Sequence, residues 1–207
     1  MKIGIIGAGN IGGTAARLFL KAGHEVAISN SRGPASLAPI VADLGGGARA
    51  VTVEDAARFG EVVLLAVPWR SPDALPKPEL LKGKVVIDAM NPYSATGGLV
   101  DLKERTSSEE TAKRLPGARI VKAFNTIYFK HLATEGNADL PIEDRRAIFM
   151  AGDDTAAKDV VANLIQQIGF APVDTGSLRE GGHTQQPNSA IYNRQISGRQ
   201  AKQALKQ

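Results

Sequence analysis

Short apolar runs alternate along the chain with longer stretches whose apolar residues recur every three or four positions. The runs fit strands buried on both faces, and the recurring pattern fits helices with one face on a sheet. Strands are expected at residues 1–6, 24–28, 48–53, 62–67, 84–89, 119–123, 146–151 and 171–173. Helices are expected at 11–22, 53–59, 108–115, 127–134 and 156–168. Two more are expected, one opened by Gly33-Pro34 and one across 70–82 beyond a proline-rich start. Ile11, Ala15, Leu18, Phe19 and Ala22 fall on one face of the first helix, and Gly23 stops it. Thr52 is placed to cap 53–59.

Strand and helix alternate with no internal repeat. This predicts an α/β fold, a Rossmann-like, doubly wound and mostly parallel sheet. Residues 1–175 form its body. Residues 176–207 form a short C-terminal extension that packs on the body or on a partner subunit.

The first strand runs straight into Gly7-Ala8-Gly9-Asn10-Ile11-Gly12. In a strand–turn–helix setting this spacing points to a dinucleotide. Gly7 turns the chain tightly, Gly9 leaves room for a pyrophosphate, and Gly12 lets the helix pack close to the strand. The helix start offers unpaired N–H groups and a partial positive charge.

The second strand ends in Ser29-Asn30-Ser31-Arg32, with no acid between Glu25 and Asp43. A carboxylate at that strand end would accept the ribose hydroxyls of NAD and repel a 2′-phosphate. Small polar groups followed by a guanidinium suit the phosphate instead. NADP(H) is therefore the expected cofactor, with Asn30, Ser31 and Arg32 at its phosphate.

Ligands of an open parallel sheet bind beyond the carboxyl ends of its strands. The remaining ends expected at this rim are Val67–Trp69, Met90–Tyr93 and Phe124–Thr126. Ala66, Val67 and Pro68 would face the ribose or nicotinamide. Asn91 and Asn125 carry donors and acceptors for the ribose or carboxamide. Trp69 reads as a roof over the site or as a core aromatic. No acid–base pair stands out, because neither Tyr93 nor Tyr128 has a lysine four residues on. No catalytic side chain is assigned. Transfer between two bound cofactors needs mainly proximity and orientation.

Composition narrows the classes. There is no cysteine, and the three histidines are scattered, so no metal site is expected. The net charge of +4 is concentrated toward the end, at Arg194, Arg199, Lys202 and Lys206. With few aromatics and no nucleic-acid motif, this reads as a solvated basic tail. No run is long enough to span a membrane and no cleavable leader is seen, so a cytoplasmic protein is expected.

Four segments carry a resemblance: Gly7–Gly12, Ser29–Arg32, Leu65-Ala66-Val67-Pro68-Trp69, and Val121-Lys122-Ala123-Phe124-Asn125-Thr126. Together they resemble the NADP oxidoreductases dependent on coenzyme F420, a family that includes the reductase domains of membrane ferric reductases. The resemblance covers roughly residues 1–175. It implies hydride transfer between nicotinamide C4 and C5 of a deazaflavin, with coenzyme F420 or a flavin as second substrate, often in a homodimer. It implies that Ala8, Gly9, Asn10 and Ile11 cover the pyrophosphate, that Ser31 and Arg32 hold the 2′-phosphate, and that Val67 and Ala123 lie near the nicotinamide. Phe124-Asn125 departs from the family, whose well-studied members carry a histidine there. Two alternatives stand beside this reading. One is a reductase of a small imine or ketone, which needs a longer helical C-terminal domain. The other is a non-catalytic NADP-binding sensor.

Overall fold

The computed structural model describes residues 1–205, so Lys206 of the basic tail lies outside the described residues. Its strands are β1 (Lys2–Ile6), β2 (Glu25–Ser29), β3 (Ala48–Ala50), β4 (Val62–Leu65), β5 (Val85–Asp88), β6 (Arg119–Ala123), β7 (Ala147–Gly152) and β8 (Ala171–Asp174). Its α-helices are α1 (Asn10–Lys21), α2 (Ala38–Leu44), α3 (Val53–Phe59), α4 (Ser107–Arg114), α5 (Phe129–Thr134), α6 (Thr155–Gln167), α7 (Glu180–Thr184) and α8 (Gly198–Ala204).

The strands form one eight-stranded sheet in the order β3-β2-β1-β4-β5-β6-β7-β8. Every neighbouring pair is parallel except β6 and β7. The chain leaves β1 toward β2 on one side and later returns to place β4 on the other. That reversal opens a crevice at the carboxyl end of β1.

Side chains alternate across the sheet. Ile5, Leu64, Ile87 and Val121 pack in one layer with Phe19 of α1 and Leu164 of α6. Val63, Leu65, Val86 and Ile120 face the other, with Ala56 of α3, Leu115 and Trp69. All of β4 and β5 is buried, which is why these strands read as unbroken apolar runs. Each large aliphatic side chain so covered contributes about 1.5–3 kcal/mol.

Helix starts follow capping chemistry. The Thr52 hydroxyl accepts from the Asp55 amide at 3.1 Å and starts α3, so the preceding strand stops at Ala50 rather than at residue 53. Thr106 and Glu109 form a reciprocal capping box on α4.

Two expected helices differ. Residues 70–82 contain only single 3-10 turns, Pro72–Ala74 and Pro78–Leu80. Pro72, Pro76 and Pro78 lack the amide donors that an α-helix requires. After Gly33 the chain first makes a 3-10 turn, Pro34–Leu37, and only then α2. Beyond Gly176 the chain packs on the sheet's far edge, where Ile191 and Ala201 bury against Ala147, Phe149 and Val173.

Candidate functional site

The turn after β1 is fixed by crowding. Gly7 adopts a φ of +109° and its amide donates to the Ser29 carbonyl at 3.0 Å. A Cβ there would lie 2.4 Å from the Ala66 carbonyl oxygen. Gly12 is packed beneath the same turn. Gly9 differs, since a Cβ on it would meet nothing within 4 Å. Two glycines thus serve close packing and the third keeps open space above the turn. Gly9 is also the N-cap of α1, without a side-chain cap and with no acid in the first turn. The first amides and the positive end of the helix therefore face that space.

A cleft of about 400 Å³ opens at this point. It brings together Gly7, Ala8 and Gly9, the loop Asn30, Ser31 and Arg32, and Ala66, Val67 and Pro68. Val53, Ser71 and Ala74 complete its wall. Sequence reasoning missed these three. Ser71 and Ala74 follow Pro68 closely, but the expected helix across 70–82 hid them.

Arg32 is exposed at the edge of the cleft, and among the described residues no ion pair engages it. Asn30 shapes the loop from within. Its Oδ1 accepts from the Arg32 amide and its Nδ2 donates to Ser36 Oγ, both at 2.9 Å. Ser29 is not a free donor, since it is buried and its hydroxyl is committed to the Ile5 carbonyl at 3.0 Å.

A second cleft, of about 220 Å³, lies on the other side of the helix start. Asn10 and Ile11 border it, with Asn91 and Asn125 from the ends of β5 and β6, and Tyr128, Phe129, Tyr192 and Asn193 opposite. The two amides are bonded to each other and to the C-terminal extension. Asn125 Nδ2 donates to Asn91 Oδ1 at 3.2 Å and to the Gln185 carbonyl at 2.8 Å. Asn91 Nδ2 donates to the Asn125 carbonyl at 2.9 Å and to the Tyr192 hydroxyl at 3.2 Å. Asn125 Oδ1 is buried and has no hydrogen-bond partner among the described residues. Phe124 before it holds a φ of +65°, a strained conformation for a bulky residue, with its ring buried edge-on against Phe19. Gln185 and Tyr192 carried no signal in the sequence, because their partners lie far away along the chain.

Three residues of interest line neither cleft. Ala123 is buried in the core, and Gly12 is buried in the first turn of α1. Trp69 is a core aromatic, 7% exposed, whose Nε1 donates to the Ser107 carbonyl at 3.2 Å. Behind Asn91, Lys122 and Asp88 form a buried pair with Nζ 3.6 Å from Oδ2. Lys122 also donates to the Met90 carbonyl and to Ser107 Oγ. Asp88 accepts from the Met90 amide at 2.9 Å and from Ser108 Oγ at 2.7 Å. Burial lowers the Lys122 pKa, and the Asp88 charge opposes that shift. The pair anchors the chain that carries Asn91.

The donor set fits an elongated dinucleotide phosphate. Open amides and clearance stand at the turn, a free guanidinium at one end, and a ring-sized cleft at the other. Among the described residues no group of three His, Cys, Asp or Glu is placed to hold a metal, and no helix is long and apolar enough to cross a membrane.

Residues 2–92 match the family model described as NADP oxidoreductase coenzyme F420-dependent. A hypothetical protein from Sinorhizobium meliloti is 35% identical, with a TM-score of 0.82 and 95% of each chain covered. A protein from Arthrobacter sp. FB24, solved under the description of an F420-dependent NADP-reductase, is 28% identical with a TM-score of 0.74 over 86% of each chain. Metalloreductase STEAP3 of Rattus norvegicus is 30% identical over 86% of this chain. The chain spans 34% of the length of that relative.

Proposed function

From the match of residues 2–92 to the model of the NADP oxidoreductases dependent on coenzyme F420, we propose that the chain is an oxidoreductase of that family and passes a hydride between NADPH and a deazaflavin or flavin acceptor. The observation that carries the reading is the pairing of an uncapped glycine turn with Arg32, an unpaired cation on the edge of the same cleft.

Each part has a role that its chemistry allows. The amides after Gly9 receive the pyrophosphate, while the helix dipole favours its charge. Ser31 and Arg32 hold the 2′-phosphate, and Asn30 fixes the loop that presents them. Ala66, Val67 and Pro68 give the chain between the two clefts an apolar backing. Asn91 and Asn125 stand at the nicotinamide end, where the partnerless Asn125 Oδ1 can accept from a carboxamide N–H. NADPH, when bound, supplies the hydride from its nicotinamide ring. The protein's task is then to orient two rings and exclude water, which needs no side-chain acid or base.

The test is to mix protein and NADPH with a deazaflavin or a flavin and follow nicotinamide absorbance. Oxidation with either acceptor, faster for NADPH than for NADH, is expected. Tight NADP+ binding with no turnover of either acceptor would favour the non-catalytic sensor.

A further inference from the structure

The chain has three tyrosines, and two of them lie at the second cleft. Tyr128 and Tyr192 line it, and Tyr93 adjoins Tyr192. Tyr128 is 43% exposed, with its ring braced edge-on by Phe129 at 4.8 Å between centroids. Tyr192 arrives from the C-terminal extension and is pinned in place. Its hydroxyl accepts from Asn91, and the next amide, that of Asn193, donates to the Thr126 carbonyl at 2.9 Å. Burial, then the neighbouring Tyr93 hydroxyl, pushes the Tyr192 phenol well above its ordinary pKa, so the ring stays neutral.

Size decides what these rings can do. The cleft's 220 Å³ is below the roughly 300 Å³ at which whole ligand sites begin. It has room for one ring, and a second ring must lie at the mouth. The surfaces offered there are the faces and edges of Tyr128 and Tyr192. Aromatic rings with a fixed polar tip suit a flat heterocycle.

We propose that Tyr192, together with Tyr128, forms the wall that docks a planar aromatic hydride acceptor, and that Tyr192 is a specificity-determining residue supplied by the extension. This rests on the hydride-transfer reading above. It adds that the acceptor side is built by residues 127–129 and 192–193, outside the glycine turn and the phosphate loop.

Riboflavin and 5-deazariboflavin are the probes. Each is titrated by fluorescence into NADP+-saturated wild type, Tyr192→Ala, Tyr192→Phe and Tyr128→Ala, with NADP+ affinity measured in parallel. Tyr128→Ala should bind at least one probe about five- to tenfold more weakly while its NADP+ affinity stays within about twofold, and Tyr192→Ala should lose more affinity for the probe than for NADP+. Tyr192→Phe keeps the ring and should retain most of the binding. In turnover, the loss should fall on KM for the acceptor rather than for NADPH. Tyr128 is exposed, so its truncation tests the wall even if Tyr192→Ala does not fold. Equal probe binding by wild type and both alanine variants would overturn the proposal. So would parallel loss of probe and NADP+, or no binding of either probe to the wild type. The NADP+ titration separates that last failure from a failure of the nucleotide reading.

Discussion

Gly12 lies so close under Gly7 that a Cβ on it would come within 1.8 Å of the Gly7 carbonyl oxygen. The Gly9 position points the other way, into open space. The two glycines should therefore respond differently to the same added methyl group. Gly12→Ala should destabilise the fold by about 1–3 kcal/mol, as overpacking does. Gly9→Ala should stay within about 1 kcal/mol of wild type, the cost of a poorer N-cap, yet lose about tenfold or more in NADP+ affinity. Denaturant titration and NADP+ binding on both variants check this. Undiminished binding by Gly9→Ala would contradict the clearance role.

Among the described residues no carboxylate neutralises Arg32, so its removal should cost little stability. Arg32→Ala should weaken NADP+ binding by about tenfold, the lower end for charge-assisted hydrogen bonds at an exposed site. NAD+ binding should be nearly unchanged. Arg32→Glu should reverse the preference by repelling the phosphate. Equilibrium titration of both nucleotides measures the ratio, and an unaltered ratio would remove Arg32 from the phosphate site.

Asp154 links two elements. It accepts from Arg119 Nε at 2.6 Å and Nη2 at 2.9 Å, and from the Ala157 amide at 2.9 Å as the N-cap of α6. The Arg119 guanidinium, then the helix amide, hold its carboxyl well below the usual carboxylate range. A depressed native pKa means that the unfolded chain binds the proton first as pH falls. The stabilisation is thus complete above about pH 4 and is lost progressively below it. Urea midpoints measured from pH 6 down to pH 2.5 should fall less steeply for Asp154→Asn than for wild type. Parallel slopes would refute the assignment.

The buried pair behind Asn91 should behave as a unit. Lys122→Met leaves Asp88 charged and enclosed, and should cost about 3–5 kcal/mol. Asp88→Asn combined with Lys122→Met removes both charges and should recover part of that loss. A double-mutant cycle by chemical denaturation gives the coupling. If the double variant were as unstable as the sum of the singles, the two residues would not be acting on each other.

The central strands were legible because strands buried on both faces appear as unbroken apolar runs, whereas the edge strand β3 is only half buried. The glycine turn and the loop at Arg32 were legible because their chemistry is local. Ser29 misled, since only its position beside β1 shows that its hydroxyl is turned inward to Ile5. Residues 70–82 misled because a helix was expected beyond the proline-rich start, where Pro76 and Pro78 also prevent one. Asn91 and Asn125 were legible as polar strand ends, but their links to each other, to Gln185 and to Tyr192 left no trace in the sequence. The linked residues sit up to 101 positions apart, and amides and phenols carry no periodic signature.

The two clefts differ in when they can exist. The residues lining the first run from Ile6 to Ala74, whereas the second needs residues as distant as Asn10 and Asn193. Chains emerge from the ribosome N-terminus first and fold as units as they do so. A nascent chain thus holds every residue of the first cleft well before its sheet is complete. The second cleft can close only once residues as late as Asn193 have been made. The order of synthesis therefore separates a chain that holds the first cleft alone from one that holds both.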